Sequence, residues 1–291
     1  MITPFFLPNI GGAETYAYEL CEFLRNRVQL VNVLTYQPIT TRGPKGKSRE
    51  RKQNMSIRRY SWIGYNLFNK LENLPLLNFL YICPYLFLRS FFWMLFNHKK
   101  VDIIDAQGFF GAFIAIILKI FFKKKVVVTV LSLYDFMPAS LMAKIICGII
   151  KRADHVIVES EASKKELMSI GVLSQKITTY TEWVNLRLFK PLDRTSTKQE
   201  LGLKQKFTVL FVGRAIKIKG IDIILEVAHS LQHEDIQFVF ISNAGPLMED
   251  LQKASEKNVN ITFIGGVPYS ELPRYEAASD LAVVPSRYSE N

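Results

Sequence analysis

Two short segments of this chain combine glycine with charge in a way suited to holding an anion. The first is Asn9-Ile10-Gly11-Gly12-Ala13-Glu14, just ahead of the helix-patterned stretch Tyr16–Arg25. Glycines at the mouth of a helix let the backbone approach a ligand closely, and the unpaired N–H groups of the first turn attract negative charge. The second segment runs Val212-Gly213-Arg214-Ala215-Ile216-Lys217-Ile218-Lys219-Gly220. Gly213 ends an apolar run, Arg214 follows at its carboxyl end, and Lys219-Gly220 open the next helix pattern. A planar Arg fork beside a compact Lys charge would neutralise a diphosphate and stabilise charge growing on it as a bonded group departs. Each signal alone is modest, because glycines also serve plain turns and loop cations are often only solvated.

Such residues need a scaffold that brings them to one edge. Val28–Thr35, Val101–Asp105, Lys125–Val130 and His155–Glu159 are brief runs rich in Val and Ile, and helix-length stretches such as Ala112–Phe122 and Ala139–Lys151 lie between the later ones. Strand runs alternating with helices predict α/β architecture with a mostly parallel sheet covered on both faces. The rhythm restarts at Phe207–Val212, continues through Ile236–Ser242 and Ile261–Ile264, and ends at Leu281–Val284, with helices from about Lys219, from Pro246 and around Glu271–Ala278. Two breaks stand out. Residues 42–59 carry eight Lys or Arg against one Glu and read as a solvated loop. Residues 189–206 are polar and read as a linker, which gives domains at 1–188 and 207–291.

Composition narrows the class. The 291 residues are 49% apolar and 22% charged, as in globular proteins. Cys21, Cys83 and Cys147 stand far apart, so neither a disulfide framework nor a zinc site is expected, and the four histidines add no ligand-spaced set. No basic n-region opens the chain, so no signal peptide is expected. Net charge is +11 but uneven: residues 1–190 hold 26 Lys or Arg against 13 Asp or Glu, and residues 191–291 hold 11 against 13. The basic first part suits an anionic partner. Residues 60–96 are dense in aromatics, but Asn78, Pro84 and Arg89 interrupt the most apolar window, so it reads as a buried or amphipathic helix.

The ordered set of motifs resembles the retaining glycosyltransferase family 4, whose fold is called GT-B. Pro8 to Glu14 is similar to its first glycine loop, and His155 to Leu167 with Gly171 to the strand and helix before its linker. Phe211 to Gly220 resembles its central motif, followed by Asn243-Ala-Gly-Pro246, Phe263-Ile-Gly-Gly-Val267 and Val284-Pro-Ser-Arg-Tyr-Ser-Glu290. The resemblance implies two Rossmann-like doubly wound domains facing a cleft, the second incomplete. It implies sugar transfer from a UDP- or GDP-linked donor to a glycan or lipid-linked acceptor, with retained anomeric configuration and without a cofactor or a required metal. Carried over, Arg214 and Lys219 hold the donor diphosphate; Gly213, Gly266 and Val267 line the nucleotide; Gly11 and Gly12 line the opposite side near phosphate or acceptor; Glu290 is the first acid of a Glu-x7-Glu pair.

Four features depart from the family pattern. The second acid falls beyond Asn291, so the sequence is expected to be a piece of a longer protein, and Met1-Ile2-Thr3-Pro4 resembles only the end of a first strand. Leu131-Ser132 stands where His-Gly is common, and Asp105-Ala106-Gln107 where a His-Ala-His-like triplet is common. A cytoplasmic location is expected, with adsorption to an anionic inner leaflet held open by the basic and aromatic residues. The alternative is a catalytically incomplete, basic fragment that binds membrane or nucleotide. A sugar-nucleotide epimerase competes at the level of fold, and nucleic-acid binding ranks last, since no aromatic-interleaved motif accompanies the basic run.

Overall fold

The computed structural model of the protein describes residues 1–40, 45–64, 67–71, 74–131, 141–181 and 183–287. The chain divides into two compact units, Met1–Glu182 and Trp183–Asn291.

The first unit runs α1 (Gly12–Leu24), β1 (Val31–Tyr36), β2 (Arg49–Lys52), β3 (Met55–Tyr60), α2 (Leu67–Lys70), α3 (Pro75–Asn97), β4 (Ile103–Gln107), α4 (Gly108–Phe122), β5 (Lys125–Val130), α5 (Leu141–Ile150), β6 (His155–Val158), α6 (Glu161–Ser169) and β7 (Ile177–Thr179). Parallel pairing joins β3 to β1 and orders β4-β5-β6-β7, while β2 lies antiparallel on β3. Ile2 bridges β1 and β4: its N–H donates to Asp105 O at 2.7 Å, and its carbonyl accepts from the Gln107 N–H at 3.1 Å. Ile2 thus stands where the end of a clipped first strand is expected from Met1-Ile2-Thr3-Pro4. Ile104, Val126, Val128, Val156 and Val158 pack under α3 and α4 on one face. Val31, Val33, Met55 and Ile57 meet Ala17 and Cys21 of α1 elsewhere.

The second unit runs α7 (Arg194–Glu200), β8 (Phe207–Val212), α8 (Ile221–Ser230), β9 (Ile236–Ile241), α9 (Met248–Lys257), β10 (Ile261–Ile264), α10 (Leu272–Ala277) and β11 (Leu281–Ala282). Its four strands are parallel in the order β10-β9-β8-β11. The period of two sorts its side chains. Val209, Phe211, Phe238 and Phe240 meet α8 and α9, whereas Leu210, Val239 and Ile241 meet residues flanking α7 and α10. The expected doubly wound sheet is present.

Two expectations need correction. Residues 42–59 are not simply a solvated loop, because residues 49–60 form the β2–β3 hairpin. Met55 and Ile57 alternate inward, and Arg59 is buried with them. Arg59 survives there because its Nε donates to Leu7 O at 2.8 Å and its Nη1 lies 2.8 Å from Glu50 Oε2. The expected linker 189–206 contains α7, which is tied into the second unit. Buried Lys198 donates to Asp280 Oδ2 at 2.8 Å, Arg194 pairs with the other oxygen, and the Thr208 N–H also donates to Asp280.

Helix α3 is long and apolar enough to cross a membrane by length and composition alone. One side of it is built into the unit: Tyr81, Ile82, Leu86, Ser90 and Met94 are buried, and the Tyr36 hydroxyl donates to Ile82 O at 2.7 Å.

Partial burial by itself would raise the Asp280 carboxyl, but the Lys198 hydrogen bond, the Thr208 N–H and the two cations outweigh it and hold it below its usual range. Asp280→Ala strands the Lys198 ammonium in a buried position. It should lower stability by about 3 kcal/mol, the low end for a broken buried pair. Urea denaturation at pH 7 followed by circular dichroism checks this.

Candidate active site

In an open parallel sheet, ligands gather outside the carboxyl ends of the strands. In the second unit three loops interlock at that edge. The loop after β8 returns to the loop after β9 through the Gly213 N–H to Ile241 O (3.1 Å), the Ala215 N–H to Ala244 O (2.7 Å) and the Leu247 N–H to Ala215 O (3.0 Å). Gly245 lies at φ 132°, and a Cβ there would sit 2.2 Å from Ala215 O, so glycine is required. Gly220 lies at φ 69° at the mouth of α8, and a Cβ there would sit 2.2 Å from Pro285 O in the segment after β11. Gly266, after β10, abuts Asn243: an added Cβ would meet that side chain's Cβ at 2.6 Å. Val267 packs against the buried cluster of Leu203, Leu210, Val239, Ile241 and Ala278.

The structure brings Gly213, Arg214, Lys219, Gly266 and Val267 to this one edge. Arg214 and Lys219 are exposed, and among the described residues neither forms an ion pair. Two cations held by a rigid turn without a carboxylate partner are available to an anion. Glu290 lies outside the described residues.

Arg287 is a residue whose role the motif reading passed over. Its guanidinium contacts both oxygens of Asp222 at 2.5 and 2.7 Å and donates to Lys217 O at 2.8 Å, while its N–H donates to Ile218 O at 2.8 Å. The segment after β11 is thereby clamped onto the turn that carries Lys219. An Arg–carboxylate pair 65 residues apart in sequence, in which one Nη2 reaches both oxygens, has no local signature.

In the first unit, Gly11 is the N-cap of α1 and Gly12 its first residue. Gly11 is extended, and its need is steric, since a Cβ would fall 2.2 Å from Glu14 Oε2. Glu14 is buried, accepts from the Asn9 amide, and sits in the first turn where the helix dipole favours a carboxylate. Asn9 in turn accepts from the Thr40 hydroxyl at 2.7 Å. The negative charge this helix end attracts is thus supplied from within, which weakens the phosphate reading of Gly11 and Gly12. Gly12 has no neighbour within 4 Å of an added Cβ.

A polar cluster occupies the carboxyl ends of β4 and β5. The Gln107 amide donates to Asp105 Oδ1 at 2.8 Å and reaches the Thr129 hydroxyl at 3.4 Å. The rings of Tyr16 of α1 and Tyr180 lie 5.6 Å apart; burial raises the Tyr16 phenol above the usual range, Tyr180 and Thr129 oppose that rise, and Asp105 adds to it. Burial also raises the Asp105 carboxyl, against the opposing donation from Gln107. The triplet Asp105-Ala106-Gln107 marked this place in sequence only as a departure from the family pattern; Tyr16, Thr129 and Tyr180 carried no signal.

Comparison with known proteins agrees with this architecture. Residues 10–187 match the family Glycosyltransferase Family 4, and residues 193–291 match Glycosyl transferases group 1. The chain belongs to glycosyltransferase family 4. It is 29% identical over 155 residues to D-inositol 3-phosphate glycosyltransferase 1 of Catenulispora acidiphila, covering 48% of this chain and 37% of that protein. It is 22% identical over 280 residues to the phosphatidylinositol N-acetylglucosaminyltransferase GPI3 subunit of Saccharomyces cerevisiae, covering 94% and 59%. The chain therefore spans about a third to three fifths of these curated relatives. Its fold superposes on Anabaena Alr3699/HepE in complex with UDP and glucose with a TM-score of 0.67 at 18% identity, covering 98% of this chain and 74% of that one. The expected GT-B fold class is thus observed.

Partial burial would raise the Asp222 carboxyl, but Arg287 and the N–H groups at the start of α8 outweigh it and hold it low. A depressed carboxylate contributes stability above its unfolded value of about 4 and loses it as pH falls through the folded value. Asp222→Asn should therefore be less stable than the parent at pH 7, and the gap should narrow progressively as pH falls below about 4, by urea denaturation across that range.

Proposed function

We propose that the protein is a glycosyltransferase that moves a hexose from a UDP- or GDP-linked donor to a hydroxyl of a glycan or lipid-linked acceptor, with retention. The observation that carries this reading is the turn at the carboxyl end of β8, where Arg214 and Lys219 stand exposed and, among the described residues, have no carboxylate partner. The two cations would hold the donor diphosphate and stabilise its charge as the sugar leaves. Gly213, Gly266 and Val267 would line the nucleotide, where Gly266 lies so close to the Asn243 side chain that it has no room for one of its own. Glu290 would act on the sugar, and the Arg287–Asp222 clamp would position the segment leading to it. No cofactor or resident metal is assigned a role.

In the first unit, the polar groups of Tyr16, Gln107, Thr129 and Tyr180 suit a hydroxyl-rich acceptor. The Glu14 carboxylate beside Gly11 favours a neutral acceptor over a phosphate at the glycine loop. A membrane-linked substrate is supported by one of the named relatives, which carries phosphatidylinositol in its name. On this reading the protein works in the cytoplasm, peripheral to the inner leaflet. The second reading, a nucleotide-binding or membrane-adsorbing fragment without turnover, gains from Leu131 standing in place of the family histidine.

Titration calorimetry with UDP and GDP tests the donor site. Arg214→Ala and Lys219→Ala should each weaken binding roughly 10- to 100-fold, the worth of one charge-assisted hydrogen bond to phosphate. Parent-like affinity in both variants would refute the assignment. Nucleotide binding without transfer to any offered acceptor would favour the second reading.

A further inference from the structure

Away from the strand ends that carry the candidate site, a groove of about 530 Å³ opens between β3 and the carboxyl-terminal half of α3. Arg49, Arg58 and Arg89 line it, with Trp93, Phe92 and Phe96. Among the described residues, none of these three arginines meets a carboxylate; the nearby Glu50 is taken by Arg59 and Lys52. Arg89 lies over the Tyr60 ring at 4.5 Å. Two donors beside the groove, Arg58 Nε and Trp93 Nε1, are buried with no hydrogen-bond partner. A buried donor left unpaired costs on the order of 1–3 kcal/mol, so a groove with two such donors and three unopposed guanidinium groups is built for an anion with several acceptor oxygens.

The rim of the groove says what carries that anion. Phe92 is 58% exposed and Phe96 85%, and Leu88 and Leu95 of α3 are exposed beside them. The Phe91 ring joins Phe92 to Phe121 at the end of α4, where Ile120 and Phe121 are also exposed. Lys123, Lys124 and Lys125 follow directly. Apolar side chains bounded on both sides by cations complement an anionic leaflet: the rings enter the acyl boundary and the cations remain among headgroups.

We propose that this groove seats the phosphate of an anionic membrane lipid, held by Arg58, Arg89 and the Trp93 indole N–H, with Phe92 and Phe96 inserted beside it. This rests on the membrane location in the proposed function but needs neither donor binding nor sugar transfer. It turns general adsorption into a defined headgroup site.

Vesicle flotation of the whole chain provides the test, with phosphatidylcholine vesicles against phosphatidylcholine–phosphatidylglycerol vesicles. The parent should float only with the anionic vesicles. Arg58→Gln with Arg89→Gln should lower partitioning roughly 30-fold, since each cation near such a surface is worth about fivefold. Arg58→Lys keeps the charge but loses Nε and should still lower it several-fold. Phe92→Ser with Phe96→Ser changes exposed positions only; it should lower partitioning about tenfold or more and carries the test if the arginine pair fails to fold. Equal flotation with both vesicle types, undiminished flotation in these variants, or vesicle-free self-association abolished by the phenylalanine pair would each overturn the proposal. Saturating binding of inorganic phosphate that leaves flotation unchanged would overturn the lipid as source. UDP titration of the same variants should match the parent, which separates this site from the donor site.

Discussion

The carbonyl of Ala215 is the point on which the second unit's site turns. It accepts from Leu247, while Gly245 passes so near that no side chain fits between them. Parallel strands deliver their loops to one edge, but those loops hold a fixed shape only where backbone can pack on backbone. Glycine at 245 and 220 permits this packing after β9 and before α8. Arg214 and Lys219 thereby sit on a braced turn rather than a free loop, and an anion binding there would not have to order it first.

The first unit solves a related problem with the opposite charge. Its glycine turn is closed by Glu14, which folds back over Gly11 and is fixed by Asn9. One helix amino terminus is thus covered by the chain's own carboxyl group, while the turn in the other unit carries two cations with no carboxylate partner among the described residues. On the proposed function, this difference favours the second unit for the donor phosphates and hydroxyl groups for the first.

Helix α3 serves two solvents at once. Its inner side supplies Ile82, Leu86 and Met94 to the main core of the first unit, and its outer side presents Leu88, Phe92 and Phe96 with Arg89 among them. Composition alone makes this helix resemble a membrane span. The partners of its inner side show that part of its apolar surface is already used in holding the fold.

Much of the framework was legible because its central strands are short, continuous apolar runs. Lys125–Val130, Phe207–Val212 and Ile261–Ile264 fall where the sequence places them, since a strand buried on both faces needs such a run. The order of the motifs likewise determined the family, and with it the two-unit plan. Charge misled in both places where the reading failed. Arg59 and Lys198 look like solvent-facing cations, and only folding reveals the Glu50 and Asp280 oxygens that let them be buried. The carboxylate over Gly11, the clamp of Arg287 on Asp222 and the groove that gathers Arg49, Arg58 and Arg89 were likewise decided by the tertiary structure. Each depends on which groups meet across the chain, and a buried charge is tolerable only when its partner arrives from elsewhere.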